Sequence, residues 1–173
     1  MDLESVYDSL ERGAISTLIL GDPSIRLDLL NLLSEKGTVI YLDLSSFVSH
    51  LSIQGYVNPE GIVALNPSRE RLNEAVAEVC SIRDELESVV FDSLPAFYYM
   101  NPYDVGERNR ILGVYLLLLK KLAKSSNAKL MVYTFPKPYG GIVGGKLIER
   151  LSDVIVSLKK KEGVVSATYV KRR

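Results

Sequence analysis

The sequence predicts an α/β domain whose mostly parallel central sheet is finished by a C-terminal antiparallel hairpin at one edge. Three observations carry that prediction. Short, nearly all-apolar runs at residues 14–20, 38–42, 88–91 and 129–133 have the composition of strands buried on both faces. Longer segments between them repeat apolar residues at spacings of three and four, the period of a helix packed on one side. Strands alternating with helices make a parallel sheet, and the closing runs at 154–159 and 164–171 are separated only by 160–163, a hairpin turn.

Residues 1–10 place Leu3, Val6, Tyr7 and Leu10 on one helical face, and Gly13 ends that element. The strand at 14–20 follows. Gly21-Asp22-Pro23 then turns the chain, Ser24 is the expected N-cap, and a helix runs to about Glu35 before Lys36-Gly37 stops it. TVIYL at 38–42 is the second strand, closed by Asp43. A short helix at 47–51 and a brief strand at 62–65 are expected next. Asn66-Pro67-Ser68 caps a helix whose apolar stripe, through Leu72, Val76 and Val79, predicts that it continues to about Leu86. The strand at 88–91 ends in Asp92-Ser93, and 94–103, aromatic and interrupted by two prolines, reads as a loop or a broken helix. Asp104 caps a long helix to about Ser125, and the loop at 134–145 carries two prolines and four glycines.

A chain of 173 residues fits one domain over 1–173, since domains run about 100–200 residues. Its 21 basic and 21 acidic residues cancel, so no global field draws it to nucleic acid or anionic membrane, and such binding needs a local patch. Cys80 is the only cysteine, which excludes an internal disulfide; with no signal peptide, the expected location is cytoplasmic. The most apolar run, 111–119, stops at Lys120-Lys121, short of the roughly 18 residues a membrane span needs, so it reads as a buried helix with no membrane partner.

The stretch 18–30, LILGDPSIRLDLL, has the strand, tight turn and helix of a phosphate-binding loop. Such a loop, G-x-x-x-x-G-K-[ST], cradles phosphates on backbone N–H groups, neutralises them with lysine and holds magnesium with the hydroxyl. Counting from Gly21, its three closing positions are Arg26, Leu27 and Asp28. Leucine cannot neutralise a phosphate, and an aspartate at the helix start repels one.

The order of pieces resembles the RecA-like ATPase core, a three-layer sandwich, and within it the archaeal RadA recombinase and its paralogues. The matching phrases are ERGAISTLILGDPS, TVIYLDLSSF, SVVFDSLPAFYY, GERNRILGVYLLLLKKLAKSSNAKLMVYT and PYGGIVGGKLIERLSDVIVSLKKKEG, which together cover nearly the whole chain. The resemblance implies four ATPase groups. The Walker A lysine and threonine fall at Leu27 and Asp28, the water-activating glutamate falls near Ser45, and the polar sensor falls at Thr134-Phe135. Only the Walker B aspartate is kept, as Asp92, which the family uses to position magnesium-bound water; an aspartate there also reads as a cap on the following turn. Phosphoryl transfer is positioning and charge stabilisation, so these losses imply a pseudo-ATPase with no cofactor expected, ATP with magnesium being the alternative.

DNA contact is the other implied activity. The first family DNA loop corresponds to 95–110, where Tyr98, Tyr99 and Tyr103 with Arg108 and Arg110 offer stacking and cationic partners for single-stranded DNA, or else solvated arginines and inward-packed tyrosines. The second is shortened, with Lys137, Lys146 and Arg150 near it, and Lys171, Arg172 and Arg173 form a basic end to the hairpin. Asp22, Asp28 and Asp43 are a candidate acidic cluster, His50 has no metal or triad partner, and Cys80 reads as a small buried thiol. No segment resembles the recombinase's N-terminal DNA-binding domain or its linker phenylalanine motif, so filament formation by that route is not expected. The leading expectation is a non-catalytic accessory factor in homologous recombination or DNA repair, partnered with a RadA-type recombinase or another RecA-like paralogue as a homo- or hetero-oligomer. The alternatives are a weak or composite-site ATPase that recruits Arg26, and a diverged KaiC-like regulatory module.

Overall fold

The computed structural model describes residues 2–55 and 60–172. In chain order its elements are α1 (Leu3–Asp8), β1 (Ile15–Leu20), α2 (Ile25–Ser34), β2 (Val39–Asp43), α3 (Phe47–Ile53), β3 (Ile62–Leu65), a 3-10 turn (Arg69–Arg71), α4 (Leu72–Ser81), β4 (Ser88–Asp92), α5 (Leu94–Met100), α6 (Val105–Ser125), β5 (Lys129–Thr134), α7 (Gly145–Leu151), β6 (Val154–Lys161) and β7 (Val164–Arg172). The strands form one sheet in the order β3-β2-β4-β5-β1-β6-β7, parallel except for the antiparallel pair β6 and β7.

Burial explains the apolar runs. Every residue of β1, β2, β4 and β5 is buried, because helices cover both faces of the sheet. One core joins α4, α5, α6 and α7 to the sheet around Phe91, Phe97, Leu116 and Val132. The opposite core joins α1, α2 and α3 around Leu20, Leu30, Tyr41 and Met131. The three layers are thus helices, sheet, helices. Leu116 is fully buried, and truncating such a side chain to alanine costs about 2–5 kcal/mol.

Asp104 caps α6 as predicted, accepting from the Glu107 N–H at 3.0 Å, and the apolar run 111–119 lies within that helix. Three local expectations change. Ser24 makes no side-chain cap on α2; Asp22 accepts from the Ser24 N–H instead, at 2.8 Å. Helix α4 stops at Ser81, not near Leu86, because Ile82 goes extended and Arg83 donates to the Cys80 and Ile82 carbonyl oxygens. Residues 94–100 are helical, since Pro95 sits in the first turn, where its missing N–H costs nothing. Helix α7, in a segment given no element by the sequence, begins after Gly144, whose φ of 86° favours glycine; a Cβ there would lie 2.5 Å from Ile148. No helix of the described residues is long and apolar enough to cross a membrane.

Candidate functional site

The parallel strands deliver their carboxyl ends to one side of the sheet, where ligand sites of such folds lie. Gly21, Asp43, Asp92 and Thr134 meet there, with Asp43 paired to Asp92 across β2 and β4. After β1 the chain does not open into a wide loop. Ser24, Ile25, Arg26, Leu27 and Asp28 turn their N–H groups onto Asp22 Oδ1 and the carbonyls of Asp22, Pro23 and Ser24, at 2.8–3.4 Å. Those donors close overlapping turns on themselves. Gly21 donates to the Leu158 carbonyl at 2.8 Å.

Arg26, in the first turn of α2, aims its guanidinium at the end of β4. Its Nη1 donates to Ser45 Oγ at 3.0 Å and to both carboxylate oxygens of Asp92 at 3.4 Å. Tyr41 donates to Asp92 Oδ2 at 2.7 Å, and Ser45 does so at 3.2 Å. The guanidinium also lies 4.2 Å from the ring centre of Phe47 and 5.4 Å from that of Phe135, cation–π contacts worth about 0.5–2 kcal/mol each. Asp92 is fully buried and Arg26 16% exposed, so the pair is largely withdrawn from water. Burial raises the Asp92 pKa above its ordinary value; Arg26, Tyr41 and Ser45 pull it down and Asp43 pushes it up. The net rise shows that burial outweighs the ion pair, consistent with its 3.4 Å contact. Two buried polar atoms beside it have no partner: Arg26 Nε and the Tyr133 hydroxyl.

Asp92 does not cap the following turn; its carboxylate is spent on Arg26, Tyr41 and Ser45. The expected acidic cluster is not there either. Asp22 turns onto Ser24, Asp28 pairs with Lys160 at 2.7 Å, and Asp43 caps α3 through the N–H groups of Phe47 and Ser49. The described residues hold no group of three or more His, Cys, Asp or Glu able to bind a metal. Thr134 reaches the Val143 carbonyl at 3.4 Å, and His50 is exposed on the rim of a cavity of about 340 Å³ lined by Arg26, Ser45, Phe47 and Leu51. Cys80 is partly buried against the core, and burial raises its thiol pKa.

The candidate DNA residues divide between the two ends of the sheet. Tyr99 is 94% exposed and Tyr103 51% exposed on the segment after β4, whereas Tyr98 packs edge-on against Phe97 and bonds Asn109. Arg108 donates to the Tyr103 carbonyl, and Arg110 pairs with Glu107 at 2.7 Å. Lys137 and Lys146 are exposed in and just after the loop following β5. Lys171 donates to the carbonyls of Glu149 and Ser152 at the end of α7, near Arg150 in sequence, and Arg172 lies 5.5 Å from the Tyr169 ring. Both belong to the opposite end, because Arg172 pairs with Val154 at the start of β6. Arg173 lies outside the described residues. Sequence reasoning missed Tyr139, fully exposed in the loop after β5, and Tyr41 and Phe47 as partners of the charge pair. Pro138 before Tyr139 and the two glycines after it signal an exposed tip, but nothing local signals contacts made across strands.

No known family profile matches the chain. It is similar to the DNA repair and recombination protein RadB of Methanococcus maripaludis strain C7, 24% identical over 98% of this chain and 87% of that one. The protein of the same name from strain C5 is 25% identical with the same coverage. Among solved structures, the crystal structure of the RadB recombinase superposes with a TM-score of 0.68 at 19% identity, over 99% of this chain and 87% of that chain. In its layers, its parallel sheet and its edge hairpin, the chain has the RecA-like α/β fold.

Proposed function

We propose that this chain is a RecA-like pseudo-ATPase that serves DNA repair and recombination as an accessory factor, binding a RadA-type recombinase or another RecA-like paralogue and, through its exposed loops, single-stranded DNA. Arg26 is the observation that carries the reading. Its guanidinium stands against Asp92, and the N–H groups that would cradle phosphates are closed on their own loop. The residues here do not fit ATP with magnesium: there is no lysine or hydroxyl at Leu27 and Asp28, and Asp92 is already neutralised from within. Similarity to proteins named for DNA repair and recombination supports the setting. Exposed Tyr99 of α5, Tyr103 and Tyr139, with Lys137 and, in the first turn of α7, Lys146, supply stacking faces and cations at one end of the sheet. A cavity of about 280 Å³ lined by Leu65, Pro67 and Ala75, beside the end of β3, offers a protein partner an apolar hold.

Two measurements test this. Thermal denaturation with and without ATP and magnesium is expected to show no shift. A nucleotide at a hundred times its dissociation constant would add about 2.7 kcal/mol, and that result would favour the composite ATPase instead. Pull-down with a RadA-type recombinase and gel shift of single-stranded DNA at low salt are expected to show binding. If both are negative, the accessory-factor reading is wrong.

A further inference from the structure

The two edges of the sheet are unlike. β3 is four residues long and runs directly into Asn66-Pro67, which ends its pairing capacity. β7 is nine residues long, and from Val164 to Val170, VVSATYV, it carries neither charge nor proline. Natural edge strands are usually short, charged, bulged or covered, because an open row of N–H and C=O groups recruits another strand. The one irregularity of this hairpin, between Ile155 and Val156 of β6, leaves Val170 of β7 without a counterpart, so it falls at the last residue of that stretch and leaves Val164 to Tyr169 regular. Among the described residues no strand pairs with the outer side of β7.

The backbone fixes which groups face out. Glu162 and Gly163, at φ 51° and 80°, form the two-residue turn, and Lys161 pairs with Val164 to close it. In an antiparallel ladder, hydrogen-bonded residues alternate along the strand, so Val164 and Ser166 turn their polar groups to β6 while Val165 and Ala167 turn theirs outward.

We propose that the outer edge of β7 docks a second copy of this chain, antiparallel, about a two-fold axis at Ala167. In that register Ala167 meets its own counterpart as a hydrogen-bonded pair. Val164 and Val170, which are 70% and 61% exposed, then face each other across the axis, and Ser166 faces Thr168. On the other face Val165 meets Tyr169. Beyond the apolar pairs, exposed Arg172 of one copy comes beside the Glu162 turn of the other, so opposite charges meet twice by symmetry. No like charges oppose each other anywhere along the pairing. An interface of this kind joins the two sheets into one and leaves the carboxyl-end loops of both copies uncovered.

The test is the mass of the full chain by light scattering across a concentration series, with circular dichroism as the check of folding. The wild type is expected to pass from monomer to dimer. Glu162→Arg sets two like-charge pairs across the axis and is expected to weaken the dimer about three- to tenfold, and Glu162→Arg with Arg172→Glu is expected to restore it. Ala167→Pro removes an outward N–H without touching the pairing to β6, and is expected to give a monomer. A wild type that stays monomeric at every concentration overturns the proposal, and so does a dimer insensitive to the charge swap.

Discussion

The two ends of the sheet both bury charge, and they handle it differently. At the amino end, Lys129 is 5% exposed, lies 3.9 Å from the Tyr7 ring centre and donates to the Tyr7 carbonyl at 2.7 Å. The Tyr7 hydroxyl bonds Glu87 and Ser88 at 2.6 and 2.7 Å, and Arg12 bonds Glu87 at 2.6 Å. Each charged group there has a short, direct partner. At the carboxyl end the Arg26 to Asp92 contact is 3.4 Å, and Arg26 Nε and the Tyr133 hydroxyl have none. Buried polar groups in folded proteins are nearly always satisfied, and exceptions gather where a local structure answers to something other than stability. The charges at the amino end are fully paired, with only the uncharged Ser16 hydroxyl lacking a partner near there, whereas at the carboxyl end the guanidinium itself is left partly unsatisfied.

Breaking the carboxyl-end pair gives the largest expected effect. Arg26→Ala leaves Asp92 buried and uncompensated, and is expected to cost about 3–5 kcal/mol in urea denaturation. Replacing both members with apolar residues, Arg26→Met with Asp92→Leu, should recover most of that loss; if the double variant is no better than the single, the pair is not the source. At the amino end, Lys129→Met keeps the packed stem and loses one hydrogen bond and one cation–π contact, an expected cost of about 1–2 kcal/mol by the same assay.

The ends should also respond oppositely to pH. Asp92 has a raised pKa, chiefly through burial, so it favours the folded state most in acid, and that contribution fades as pH climbs from about 3.8 through its folded value. For Glu87 burial pushes upward, but Tyr7 and Arg12 prevail and the pKa is lowered, so its contribution is present above 4.5 and fades as pH falls through its folded value. Asp92→Asn is therefore expected to remove a loss on the rising side, and Glu87→Gln a loss on the acid side, of a stability-versus-pH curve. Parallel curves for the two variants would contradict the contrast. The smallest expected change in stability is at Tyr99, which is 94% exposed: Tyr99→Ala leaves the denaturation midpoint unmoved while weakening single-stranded DNA binding about tenfold in a filter assay.

Much of this fold is legible in sequence because its signals are local. A strand buried on both faces announces itself by composition, as TVIYL does, and Asp104 announces a helix start by its side chain. Helix α4 ends early for a reason composition hides: Ile82 and Leu86 keep the apolar stripe going while the backbone has already left the helix to reach β4. That Leu27 and Asp28 bring neither a lysine nor a hydroxyl to the turn after β1 is plain from the sequence alone. That Arg26 stands against Asp92 is not, since the two are 66 residues apart and meet only because the order β4-β5-β1 sets the end of β4 two strands from the turn after β1, with Ser45, after β2, beside both. The acidic cluster failed for the same reason in reverse, its three members facing one end of the sheet but each taken by a nearer partner.

The contact at Gly21 has a mechanical consequence. A Cβ there would sit 2.9 Å from the Leu158 carbonyl oxygen, so the turn after β1 is pressed onto β6, and a second tether, Lys160 to Asp28, joins the hairpin tip to α2. Two short links make the hairpin and the start of that helix a single lever with Arg26 on its arm. Displacement of the hairpin tip is transmitted to the guanidinium, and the amides of residues 24–28 and 158–160 should exchange their hydrogens at a common rate.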